Sequence, residues 1–184
     1  MLRTTLTALF LALVTTTGCA SMEPSDFAGR TPELRIEDYF AGHTRAWGLF
    51  EDRFGTVRRE FTVDIRGTRN GRELVLEEDF VYADGETQRR VWRIVATGDG
   101  TYEGRADDVI GVATGRAAGN ALNWRYEMDM AVGDGTWRVA FDDWMFLQPG
   151  GVLINRAHLS RWGVWIGTVS LFFQPQPARQ DAAE

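Results

Sequence analysis

The sequence predicts an all-β protein, an antiparallel up-and-down β-barrel of about nine or ten strands. Three observations lead there. Turn-forming residues recur at regular intervals: Arg53-Phe54-Gly55, Asn70-Gly71, Asp84-Gly85, Asp99-Gly100, Gly119-Asn120, Asp134-Gly135 and Pro149-Gly150-Gly151. The segments between them are of strand length, and no long amphipathic helix interrupts them. Several of these segments alternate apolar and polar residues, the period of a strand with one buried face.

The chain opens on a targeting segment. Residues 1–18 begin with Arg3 and continue in an apolar run from Leu6 to Val14. That run is far shorter than the ~20 residues a membrane-spanning helix needs, and it reads as a secretory signal peptide. Thr16-Thr17-Gly18-Cys19 follows and resembles the lipobox of bacterial lipoproteins, with Thr16 where leucine is usual. In that family a small residue precedes a cysteine that is lipidated and becomes the first residue of the mature chain. Cys19 is the only cysteine of the sequence. The resemblance implies a lipid-anchored envelope protein. Ala20 and Ser21 follow the cysteine with no aspartate, which by the same resemblance implies the periplasmic leaflet of the outer membrane. Two or more acyl chains anchor stably, at ~0.8 kcal/mol per buried CH₂.

Residues 19–36 are polar, carry Pro and Gly, and are expected to form a tether. Leu34 to Phe40 is long enough for one short helical turn. Residues 37–174 form the expected barrel domain, and 175–184 a disordered tail.

Two hairpins define the barrel wall. In the first, Leu74, Leu76, Phe80 and Tyr82 share a face that also carries Glu78. A three-residue loop, Ala83-Asp84-Gly85, with Gly85 in the left-handed position, sets the returning row Arg90, Trp92 and Ile94. Glu78 then faces Arg90, Leu76 faces Trp92, and Leu74 faces Ile94. In the second, Leu122, Trp124, Tyr126, Met128 and Met130 form one row, and Trp137, Val139, Phe141, Asp143 and Met145 the other. A two-residue Asp134-Gly135 turn sets Met130 opposite Val139, Met128 opposite Phe141, Tyr126 opposite Asp143 and Trp124 opposite Met145. Arg125 and Glu127 then point outward.

Several segments together resemble a family of Gram-negative lipoproteins known only as a domain of unknown function. They include Phe40-Ala41-Gly42 with Trp47-Gly48, Asp52-Arg53-Phe54-Gly55, Glu78 to Gly85, Arg90-Val91-Trp92 and Asp108-Val109-Ile110-Gly111. Gly119 to Leu122, Phe141-Asp142-Asp143-Trp144-Met145 and Asn155-Arg156 complete them, Asp-Asp-Trp-Met being the most specific. The resemblance implies an envelope lipoprotein and brings no catalytic residues with it. A looser likeness is to lipocalin-like barrels, through a helical turn, Gly42 and then Trp47; their Gly-X-Trp spacing is not kept, so the likeness is architectural.

Composition excludes several functions. A formal charge of -6 on an aromatic-rich chain argues against nonspecific nucleic-acid binding. All 20 basic residues are arginine, a chain-wide bias better read as compositional than as a recognition device. His43 and His158 are the only histidines and stand in no metal-binding spacing, so neither a metal nor a haem cofactor is expected. There is no Gly-X-Ser-X-Gly elbow, and no helix follows the Gly111–Gly119 run to make it a nucleotide cradle. Asp142 and Asp143 are neighbours on a strand and must face opposite ways, which rules out a shared-proton dyad. Asp143, inward, is expected to bond Tyr126 or an arginine. Enzyme chemistry is thus unsupported, although a lipid-acting enzyme with an unfamiliar site stays a third reading.

Polar groups on otherwise apolar inward rows are the usual make-up of a ligand pocket. The candidate ligand-binding residues are Glu78, Arg90, Trp92, Trp124, Tyr126, Asp143 and His158, the last placed inward through its row with Ile154 and Arg156. The expected function is binding of a lipid or other amphiphile, a fatty acid or phospholipid, with Arg90 meeting an anionic head. The alternative is a non-catalytic structural or interaction protein with a filled barrel, meeting an envelope partner through its rim or Trp162–Trp165.

Overall fold

The computed structural model describes residues 21–177. Cys19 and the expected signal peptide lie outside the described residues, as does most of the expected tail. Ten antiparallel strands follow one another: β1 (Gly42–Asp52), β2 (Val57–Asn70), β3 (Glu73–Tyr82), β4 (Thr87–Gly98) and β5 (Thr101–Arg105). Then come β6 (Val109–Ala118), β7 (Ala121–Val132), β8 (Gly135–Leu147), β9 (Leu153–Arg161) and β10 (Val164–Pro175). Each pairs with its sequence neighbours, and β10 pairs with β1 from Thr44↔Pro175 to Asp52↔Gly167. The sheet therefore closes into an up-and-down barrel. Closure leaves no unpaired edge.

The β3–β4 hairpin has the expected register. Gly85 takes φ 88°, and Leu74↔Ile94, Leu76↔Trp92 and Glu78↔Arg90 stand opposite one another. The β7–β8 hairpin corrects the expectation by two residues. Its turn is Gly133-Asp134, with Gly133 at φ 57°, so that Met130 pairs with Trp137, Met128 with Val139, Tyr126 with Phe141 and Trp124 with Asp143. A slip of two keeps every side chain on its face, whereas a slip of one would reverse them all. Trp124 and Met128 are accordingly buried, and Arg125 and Glu127 are exposed.

The two ends of the barrel differ. One is closed by the chain preceding β1, including the short helix α1 (Ile36–Tyr39). Phe40 meets Phe173 edge-on at 5.4 Å, and the Tyr39 hydroxyl donates to the carbonyls of Gly151 and Phe173 at 3.0 Å each. Leu34 and Ile36 belong to the main core. Gly67 permits the crossing, because a Cβ there would overlap the Phe40 carbonyl. The expected tether is therefore packed for much of its length. From the 3-10 turn at Pro24–Phe27 it lies on the wall, with Phe27 against Trp144 and Phe146 at 6.0 and 5.3 Å. At this sealed end Glu37 is buried, accepting from Tyr102 at 2.9 Å and Arg35 at 3.0 Å. Burial pushes the Glu37 carboxyl up, but its own backbone N–H, Tyr102 and Arg35 outweigh that and hold it below the usual range.

The opposite end, bounded by the loops at 53–56, 83–86, 106–108, 133–134 and 162–163, has no such cover among the described residues.

Candidate functional site

Inward residues near the sealed end are mostly buried. Those near the open end, including Phe61, Phe80, Tyr82, Met130 and Trp137, keep part of their surface in contact with solvent. The lumen thus has a solvent-reached mouth, a shallow cup, over a buried interior. Its floor is a column of rings: Trp92 meets Trp124 and Tyr126 edge-on at 5.9 and 5.4 Å, and Tyr126 stacks on Phe141 at 4.7 Å and 8°. Trp124 lies over two glycines of neighbouring strands. A Cβ on Gly104 would stand 2.6 Å from its ring, and one on Gly115 would overlap it. Below this floor the inward apolar side chains are buried in one continuous core.

Above the floor sits a polar group. The Arg90 guanidinium lies 2.9 Å from Asp108 and 3.9 Å from Glu78, with its Nη2 3.9 Å from the Met128 sulfur. Only 14% of the Glu78 side chain and 16% of the Arg90 side chain are exposed. Burial pushes the Glu78 carboxyl up to about 7; Arg90 opposes this, and Asp108 and Asp143 add to it. Arg90 itself is raised: burial lowers it, but Glu78 and Asp108 prevail. Burial and the Asp143 charge push the Tyr126 phenol well above its ordinary value.

Asp143 lies below, beside the ring floor. It is buried and accepts a hydrogen bond from Asn155, which together with the Tyr126 hydroxyl partly offsets the burial that raises it to about 7. Asp142 is on the outer face with Arg125 at 3.3 Å. The two carboxylates do face apart.

Of the sequence candidates, the structure brings Glu78 and Arg90 together above the floor, and Tyr126 is one of the rings of that floor. Trp92, Trp124 and Asp143 are in the lumen but in its packed part. His158 is a correction: it points outward, opposite Asp142 and 6.4 Å from the Trp165 ring. The inward row of β9 is Leu153, Asn155, Ala157 and Leu159, so Ile154 is on the outer face and misled the parity. Sequence reasoning missed Asp108, the closest partner of Arg90. It also missed Asn155, whose inward parity with Leu153 and Leu159 was available as a signal.

Two clefts are bordered mainly by outward residues or by the N-terminal segment. One of about 470 Å³ sits at an irregularity in β6, between Ile110 and Thr114, under Ile110, Arg125 and Asp142. The other, of about 330 Å³, lies at the sealed end between Glu33–Glu37 and Tyr102. Among the described residues no group of three or more His, Cys, Asp or Glu is placed to hold a metal. No described helix is long and apolar enough to cross a membrane.

A family model described as a protein of unknown function, DUF3833, matches residues 13–175. No curated protein matches the chain.

Proposed function

The chain belongs to the DUF3833 family, and from that premise and the unlike ends of its barrel we propose that it is a lipid-anchored envelope protein that binds part of an amphiphile in its open cup. One observation carries the reading: an inward apolar lining is buried at the α1 end and solvent-reachable at the other. An aromatic cup with a few oriented polar groups favours an amphiphile over a polar solute. The Trp124 floor limits the depth, so the cup suits one end of such a molecule. The lipobox-like Thr16 to Cys19 supports attachment through Cys19 to the periplasmic leaflet of the outer membrane.

The filled-barrel alternative, a structural or interaction protein, has its own support. The lower lumen is packed, and the open-end loops present Phe54 and Trp162, 77% and 86% exposed, to any partner.

Native mass spectrometry of the full chain, gently extracted, tests the two. Co-purifying lipid that Trp137→Ala reduces supports the cup; a clean apo mass and no uptake of added fatty acid would reject it. The anchor is tested separately. Cys19→Ser is expected to abolish palmitate labelling, because no other thiol exists to accept a lipid, and continued labelling would refute the assignment.

A further inference from the structure

We infer that Arg161 is the head-group anchor of the cup, selecting amphiphiles that carry a carboxylate or phosphate; this rests on the cup reading above. Arg161 ends β9 in the inward register of Leu153, Asn155, Ala157 and Leu159. Its guanidinium lies 4.1 Å from the ring centroids of both Trp137 and Trp162, at the mouth of the cup. Trp137 is itself part of the lining. Two rings therefore pack on the cation, contacts that a planar guanidinium makes more readily than an ammonium.

What sets Arg161 apart is its lack of a counter-charge. Its Nε is buried and has no hydrogen-bond partner, and among the described residues no carboxylate lies within ion-pair distance. The other inward arginines are satisfied. Arg59 holds Glu86 at 2.6 Å while lying over Tyr82 at 3.6 Å, and Arg90 holds Asp108 at 2.9 Å. The acids of this end that form ion pairs form them elsewhere, Asp52 with Arg58 at 2.6 Å among them. A buried N–H with no acceptor is costly, so an incoming anion gains a donor that water reaches poorly. The same pairing removes Arg90 as the anchor, since an anion there would have to displace Asp108.

A set of three probes sharing one chain length tests the assignment: dodecanoate, dodecanol and dodecyltrimethylammonium, titrated at pH 8 into the full chain carrying Cys19→Ser. Tryptophan fluorescence reports binding. Wild-type contacts are expected to favour dodecanoate over dodecanol by about tenfold, the factor a single charge-assisted contact supports. Arg161→Gln should bring the two to parity while leaving dodecanol unchanged, and Arg161→Lys should recover part of the preference. Retention of dodecanol binding shows that the variant is folded. Equal affinity in the wild type, or a preference that survives Arg161→Gln, overturns the Arg161 assignment and leaves the cup standing. Tightest binding of the ammonium probe overturns it in favour of Glu78, the acid above the floor. Failure of all three probes to bind overturns both the cup and its anchor.

Discussion

Glu78 and Asp143 occupy the lumen on either side of the Tyr126 ring, and neither has a full counter-charge, since Arg90 is turned chiefly to Asp108. Both are held at about 7, above ordinary values of 4.5 and 3.8. The sign of the pH effect follows. Between about pH 4 and 7 the folded protein keeps protons that the unfolded chain has lost, so stability from these groups is complete below that window. It is lost as pH rises through 7. Replacing both, Glu78→Gln with Asp143→Asn, removes the dependence. The stability of wild type relative to this double variant, from urea unfolding at a series of pH values, should fall from pH 4 to 8. A constant difference, or one that rises, would show that the two carboxyls titrate as ordinary acids.

At the scale of strands, the seat of Trp124 is set by what its neighbours lack. Gly104 on β5 and Gly115 on β6 carry no side chain into the lumen, and the indole fills the space both leave. Gly115→Ala should cost about 1–3 kcal/mol through overpacking. Gly135→Ala, where the nearest atom would be 3.9 Å away, should stay within about 0.5 kcal/mol. Similar losses at both positions in chemical denaturation would mean that the floor is loosely packed. Strand pairing was legible where a turn had one solution. Ala83-Asp84-Gly85 offers a single left-handed position, and the Glu78–Arg90 register followed from it. Gly133-Asp134-Gly135 contains two overlapping turn pairs whose registers differ by two, and alternation is blind to an even slip. The β9–β10 turn gave no signal, because it places Trp162 at φ 52° beside Gly163, and tryptophan is not a turn-forming residue. Asp108 was hidden for another reason. It belongs to a loop, outside any alternating row, and meets Arg90 only once the barrel curves.

For the molecule as a whole, closure depends on a pairing between its first and last strands, Thr44 with Pro175 at one end and Asp52 with Gly167 at the other. Such long-range contacts come late in folding and cost loop entropy before they stabilise anything. Removing residues 164–184 would expose the edges of β1 and β9 together with the lumen side of both. The truncated chain is expected to lose its cooperative unfolding transition and to elute as oligomers in size-exclusion chromatography. A monomer with an intact near-UV spectrum would show that nine strands suffice.

The packing of the N-terminal segment on the wall has a consequence for orientation. Only residues 20–23 separate Cys19 from the turn at Pro24–Phe27, which sits at the sealed end. A lipid on Cys19, as proposed above, would stand the barrel on its plugged base. Strands of this length then lift the mouth on the order of 30 Å off the bilayer. The cup would then look away from the proposed anchoring leaflet, and any amphiphile it held would be exchanged with whatever crosses the periplasmic space rather than with the membrane underneath.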